Sequence, residues 1–152
     1  MLLHDLFAAT VARHGGLIAV DVPPGHERAQ REVTRYQELA AMAAQVAQRL
    51  APLVKRECVV AVLLPRESAR LYAAQLGVLQ SGAAYVCLDP SFPVAHREFI
   101  VRDSTAVAVV TNQRFAASFA GCRIPVILIE DCLAADTPAV LPRPAWLSPQ
   151  SL

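Results

Sequence analysis

Lysine is nearly missing from this chain: of 14 lysines and arginines, only Lys55 is a lysine. Glycine is sparse as well. There are six glycines, and no two of them form a Gly-x-Gly or a loop that ends in lysine. A polyphosphate is held by successive backbone N–H groups and a cation, so no such cradle is expected in these 152 residues. The four cysteines, Cys58, Cys87, Cys122 and Cys132, include no Cys-x-x-Cys pair, which removes the usual zinc spacing. They are expected as reduced, buried thiols of a cytosolic protein, with a Cys122–Cys132 pair as the alternative. His4, His14, His26 and His96 show no metal-ligand or nucleophile–base spacing, and capping or solvent-facing roles are expected for them. Catalytic, cofactor-binding and metal residues are therefore all expected to be none.

Charge of one sign is lacking too. The formal net charge is +1, and the basic residues never run longer than a pair such as Lys55-Arg56. Neither nucleic acid nor an anionic membrane would be drawn to such a surface. The longest apolar run, residues 58–64, is far short of a membrane span, and the first five residues lack the basic start of a signal peptide. What the chain does have is apolar content: 55% hydrophobic residues against 18% charged. A domain of this size buries about 68–70% of its unfolded surface, and the balance predicts a well-filled core.

Periodicity places the elements. Leu3, Leu6, Phe7, Thr10 and Val11 recur at helical spacing and Gly15-Gly16 ends them. A short strand is predicted over 17–22, then a charged surface loop through Glu32. Thr34 and Gln37 have capping-box spacing ahead of a helix whose face carries Tyr36, Leu39, Ala43, Val46 and Leu50. Residues 58–64 read as a strand buried on both faces, 67–81 as a helix closed by a left-handed Gly82, and 84–88 as a strand turned by Asp89-Pro90. Pro93 opens a further helix that should carry Phe99 and Ile100 inward. Strands over 106–111 and 125–129 flank a short helix over 112–119. Strand starts about 20–25 residues apart are the pitch of βαβ units. The fold class predicted is α/β, an open, mostly parallel sheet with helices on both faces. It spans residues 1–137, and 138–152 form an extended proline-rich tail. Trp146 and Leu147 are its apolar anchors.

Residues 79–90 read Leu-Gln-Ser-Gly-Ala-Ala-Tyr-Val-Cys-Leu-Asp-Pro, followed by Ser91-Phe92-Pro93. This stretch resembles the second core motif of nonribosomal peptide synthetase adenylation domains. Arg35-Tyr36-Gln37-Glu38-Leu39 resembles the first. The openings around Leu3-His4-Asp5-Leu6-Phe7 and Arg102-Asp103-Ser104 are similar to the same family. Gln80, Ser81, Cys87 and Arg35 stand where the family has lysine, alanine, proline and threonine. Tyr36, Glu38, Leu39, Gly82, Tyr85, Asp89 and Pro90 are the motif residues, and structural roles are expected for all seven: helix ends, strand alternation and a turn.

The resemblance implies the N-terminal subdomain of the adenylate-forming enzyme fold. A complete domain of that family activates an amino acid with ATP and Mg²⁺ to the aminoacyl-adenylate and loads it on a carrier-protein phosphopantetheine. Here the phosphate loop and catalytic lysine are lacking, so the expectation is a truncated, inactive piece in the cytoplasm. It would partner with the remainder of the adenylation domain, carrier and condensation domains, and an MbtH-like helper. Three alternatives stay open: one half of a split enzyme, a non-catalytic binding module, and the start of an acyl-CoA ligase.

Overall fold

The computed structural model describes residues 1–25, 28–134 and 144–147. Helix α1 (Leu3–His14) leads into an antiparallel hairpin of β1 (Ile18–Val22) and β2 (Glu32–Arg35). Then come α2 (Tyr36–Leu50), β3 (Val59–Leu63), α3 (Ala69–Ser81), β4 (Ala84–Cys87), α4 (Val94–Asp103), β5 (Ala108–Thr111), α5 (Gln113–Ala116) with a 3-10 turn (Ala117–Phe119), β6 (Val126–Leu128) and α6 (Ile129–Leu133). The last four strands form one all-parallel sheet in the order β4-β3-β5-β6.

Alternation along β3 and β5 fixes the two layers. Val60, Val62, Ala108 and Val110 point to one side, where Val46 and Leu50 of α2, Ala74 and Val78 of α3, and Ile129 and Cys132 of α6 cover them. Ala61, Leu63 and Val109 point to the other, under Val101 of α4 and Phe119 of the 3-10 turn. Both faces are thus closed by helices, and the central strands carry no polar face, as a doubly covered parallel sheet demands. Gly77 sets the approach of α3 to α2: a Cβ there would lie 2.7 Å from Ala43 O and 2.7 Å from Val46 Cβ.

Several expectations change. The charged loop ends in a strand: β2 pairs Thr34 with Val20, and Thr34 is buried in the hairpin instead of capping α2. The helix starts one residue later, on Arg35, whose N–H donates to the Glu38 carboxylate at 2.7 Å. Its first free amides are met by backbone: Tyr36 N–H donates to Leu17 O and Gln37 N–H to Gly15 O, both at 3.0 Å. With carbonyls of the α1–β1 connection in place, no side-chain acceptor is required. Pro93 is the residue before α4, not within it. Phe99 is 49% exposed because the inward face of α4 is taken by Arg97 and Val101, while Ile100 packs at the edge of the core. The strand expected over 125–129 is shorter, Val126–Leu128, and passes at Ile129 into a further helix, α6. Of the cysteines only Cys132 is buried; Cys87 is exposed, and all four are free. His26 and tail residues 135–143 and 148–152 lie outside the described residues.

Candidate functional site

The strand order reverses beside β3: the chain steps out to β4, then returns to β5 on the other side. The carboxyl ends of β3 and β5 are therefore the switch point, where open α/β sheets take their ligands. Thr111 closes this point from inside. It is fully buried and its hydroxyl donates to Leu63 O at 2.9 Å.

Beside it, Asp89 and Pro90 leave β4 in a tight turn. Asp89 Oδ1 accepts from Ser91 N–H at 2.8 Å and from the Ser91 hydroxyl at 2.7 Å; Oδ2 accepts from Arg66 Nη2 at 2.6 Å. These partners, the Ser91 hydroxyl first, hold the Asp89 carboxyl below its ordinary range. Further along the same edge, Arg70 Nη1 donates to Glu130 Oε1 at 3.2 Å. Both Asp89 oxygens are engaged by neighbours, whereas Glu130 Oε2 is buried without a hydrogen-bond partner among the described residues. Among the described residues, no three His, Cys, Asp or Glu side chains are grouped to hold a metal.

The other motif residues gather elsewhere. Tyr36 and Leu39 of α2 and Tyr85 of β4 line a groove of about 680 Å³ with Phe7 of α1 and Leu76 of α3. Phe7 and Tyr36 meet ring to ring at 6.1 Å. The two motifs, 40 residues apart in sequence, thus converge on one half-open apolar groove on the α2–α3 side of the sheet. Glu38 does not join them, since it is exposed and spent on the α2 start. Gly82 ends α3 with φ +91°, its N–H bonded to Leu79 O at 3.1 Å, a left-handed cap open to glycine. A Cβ on Gly82 would meet Trp146 Nε1 at 3.1 Å, so the tail anchor lies directly on this cap, and Leu147 beside it is buried. Sequence reasoning missed the groove and the Arg66 and Ser91 contacts of Asp89; the Asp-x-Ser spacing of an Asx turn was the available signal for the latter.

The single lysine, Lys55, is exposed and precedes β3, at the amino edge of the sheet, opposite the carboxyl ends where Asp89 and Thr111 lie. No helix among the described residues is long and apolar enough to cross a membrane. The Cys132 thiol is pushed up to about 11 by burial and is held neutral.

Comparison with known proteins gives a consistent answer. Residues 7–146 match the AMP-binding enzyme family. Phosphinothricin tripeptide synthetase PhsC of Streptomyces viridochromogenes is 33% identical over 145 residues, 92% of this chain but 13% of that protein. A four-domain nonribosomal peptide synthetase solved with AMP and glycine superposes with a TM-score of 0.72 at 26% identity, over 87% of this chain and 9% of that one. The nonribosomal peptide synthetase FmoA3, solved with α-methyl-L-serine-AMP, superposes with a TM-score of 0.80 at 23% identity, over 93% of this chain and 15% of that one. The chain thus spans between 9% and 15% of the length of these synthetases.

Proposed function

We propose, from the premise that this chain belongs to the AMP-binding enzyme family, that it is the scaffold at the N-terminal side of an amino-acid-activating adenylation domain. The complete domain would join an amino acid to ATP, form aminoacyl-AMP and pyrophosphate, and pass the aminoacyl group to a carrier-protein thiol. Identity of 33% to a tripeptide synthetase across nearly the whole chain supports this choice over an acyl-CoA ligase. Residues 1–137 are the scaffold unit in this reading and 138–152 its connecting tail.

One observation carries the scaffold assignment: the carboxyl edge of the sheet holds a neutralised Asp89 turn and a buried Thr111, with the only lysine at the opposite edge. Stabilising charge that develops on an α-phosphoryl group requires donors aimed at it, and among the described residues the arginines of this edge, Arg66 and Arg70, are paired with Asp89 and Glu130. Phosphate contacts, Mg²⁺ and the acid that meets the substrate ammonium would come from other polypeptide. Carrier and condensation domains, an MbtH-like helper and a cytosolic setting belong to the same proposal.

The test is pyrophosphate exchange with ATP, Mg²⁺ and mixed amino acids. The chain alone should remain at background. Supplied with a polypeptide that carries a relative's phosphate loop and catalytic lysine, it should exchange. Exchange by the chain alone overturns the scaffold assignment, and persistent silence of the assembled form overturns adenylation.

A further inference from the structure

Arg97 is the anomaly of the core. Its residue exposure is 7%, yet its Nε has no hydrogen-bond partner, and no ion pair forms at Arg97 among the described residues. It sits four residues into α4 on the inward face, one turn before Val101. Because β4 and β5 are parallel, α4 runs back along the sheet, and its first turns lie toward the carboxyl edge.

Nothing on the helix accounts for this charge. A cation in the first turns opposes the helix dipole. The carboxylates of α4 form no ion pair with it: Glu98 Oε1 lies 3.6 Å from where a Cβ on Gly121 would stand, and Asp103 ends the helix on an exposed position. Arg102 spends its guanidinium over the Phe99 ring at 5.9 Å, on the outer face. A buried charge left without a counter-ion is strongly destabilising, whereas a planar guanidinium fork is matched by a carboxylate.

We propose that Arg97 is the seat of a carboxylate from an acidic side chain of a polypeptide segment that closes over this edge of the sheet. The choice of carboxylate over phosphate follows from charge. One guanidinium balances one negative charge, not two, and the other arginine of α4, Arg102, is turned to the Phe99 ring. The inference rests on the scaffold reading above and gives that reading a contact point: the segment that completes the domain delivers an Asp or Glu to α4.

The test uses the full 152-residue chain, ¹⁵N-labelled at arginine, and small anions as probes. Sodium acetate should move the Arg97 Nε–H resonance saturably and raise Tm; sodium phosphate at equal ionic strength should do markedly less. Arg97→Met should raise Tm without acetate, because it removes an uncompensated buried charge, and should abolish the acetate response. Arg97→Lys should keep a weaker one. A lowered Tm in Arg97→Met, or a wild-type resonance indifferent to acetate, overturns the proposal, and the titration decides it even where the variant does not fold. A phosphate response as large as that of acetate overturns the choice of carboxylate. None of these readouts involves pyrophosphate exchange, so a responsive Arg97 in a chain that never supports exchange would sink the functional reading alone.

Discussion

The sheet unit and the amino-terminal flap solve the same problem differently. In the unit from β3 to α6, Val60, Val62, Leu63, Val109 and Val110 are completely enclosed. In the flap of α1 and the hairpin, Leu3 and Leu17 are 60% exposed and Ile18 is 51% exposed. One region closes on itself; the other leans on α2 and α3 through Phe7 and Tyr36 and leaves one side of its groove open. Apolar content alone does not make a core; it is the second layer of helices that does so.

The largest test of this contrast is a pair of truncations. Phe119→Ala, in the sheet unit, should cost about 3–5 kcal/mol of stability by urea unfolding, while Leu3→Ala should stay within about 0.5 kcal/mol. Comparable losses at both sites would erase the distinction. Next in size is the α2–α3 contact on which the flap leans. A methyl at Gly77 collides with Ala43 O and Val46, and Gly77→Ala should cost about 1–3 kcal/mol through overpacking. Gly82→Ala places a side chain at φ +91° against Trp146; a loss of about 1–2 kcal/mol is expected, together with increased Trp146 fluorescence change on denaturant titration below the main transition.

The smallest effect compares one carboxylate from each region. Asp21 in the hairpin and Asp89 at the sheet edge are both held below the ordinary 3.8, the first chiefly by its hydrogen bond from Arg31, the second chiefly by the Ser91 hydroxyl. A depressed folded-state pKa stabilises above the unfolded value and is lost as pH falls through the folded one. Stability should therefore decline below pH 3.8, and Asp21→Asn or Asp89→Asn should each remove its own share of that slope. High salt should shrink the Asp21 share, which depends on an exposed ion pair, more than the Asp89 share. Equal salt sensitivity would mean that Arg66, not Ser91, governs Asp89.

The same contrast explains what the sequence disclosed. Continuous apolar runs announced β3 and β5, and helical spacing announced α2, because their burial is nearly complete. The relatives confirm the adenylate-forming fold that the 79–90 motif implied. In the flap the code is weaker. Strand β2 buries only Thr34 of its four residues, so no alternation marks it, and the amides of Tyr36 and Gln37 at the α2 start are met by carbonyls that leave no signature. Phe99 was placed inward by its hydrophobicity alone; the inward place belongs to Arg97, which local pattern rules out and tertiary burial imposes. The Tyr36–Leu39–Tyr85 groove was invisible for another reason, since nothing in two separate motifs says that they share a wall.

Strand β3 carries a consequence for biosynthesis. It lies between β4 and β5, yet this second neighbour is made late: Thr111, which bonds back to Leu63, emerges 48 residues after it. At ribosomal speed that interval lasts roughly 2–10 s. Throughout it, this apolar strand of the nascent chain offers at least one naked edge to any other chain nearby, a template for wrong pairing. Slowing translation between codons 64 and 107 should therefore raise aggregation in the cell, while folding of the finished polypeptide is left untouched.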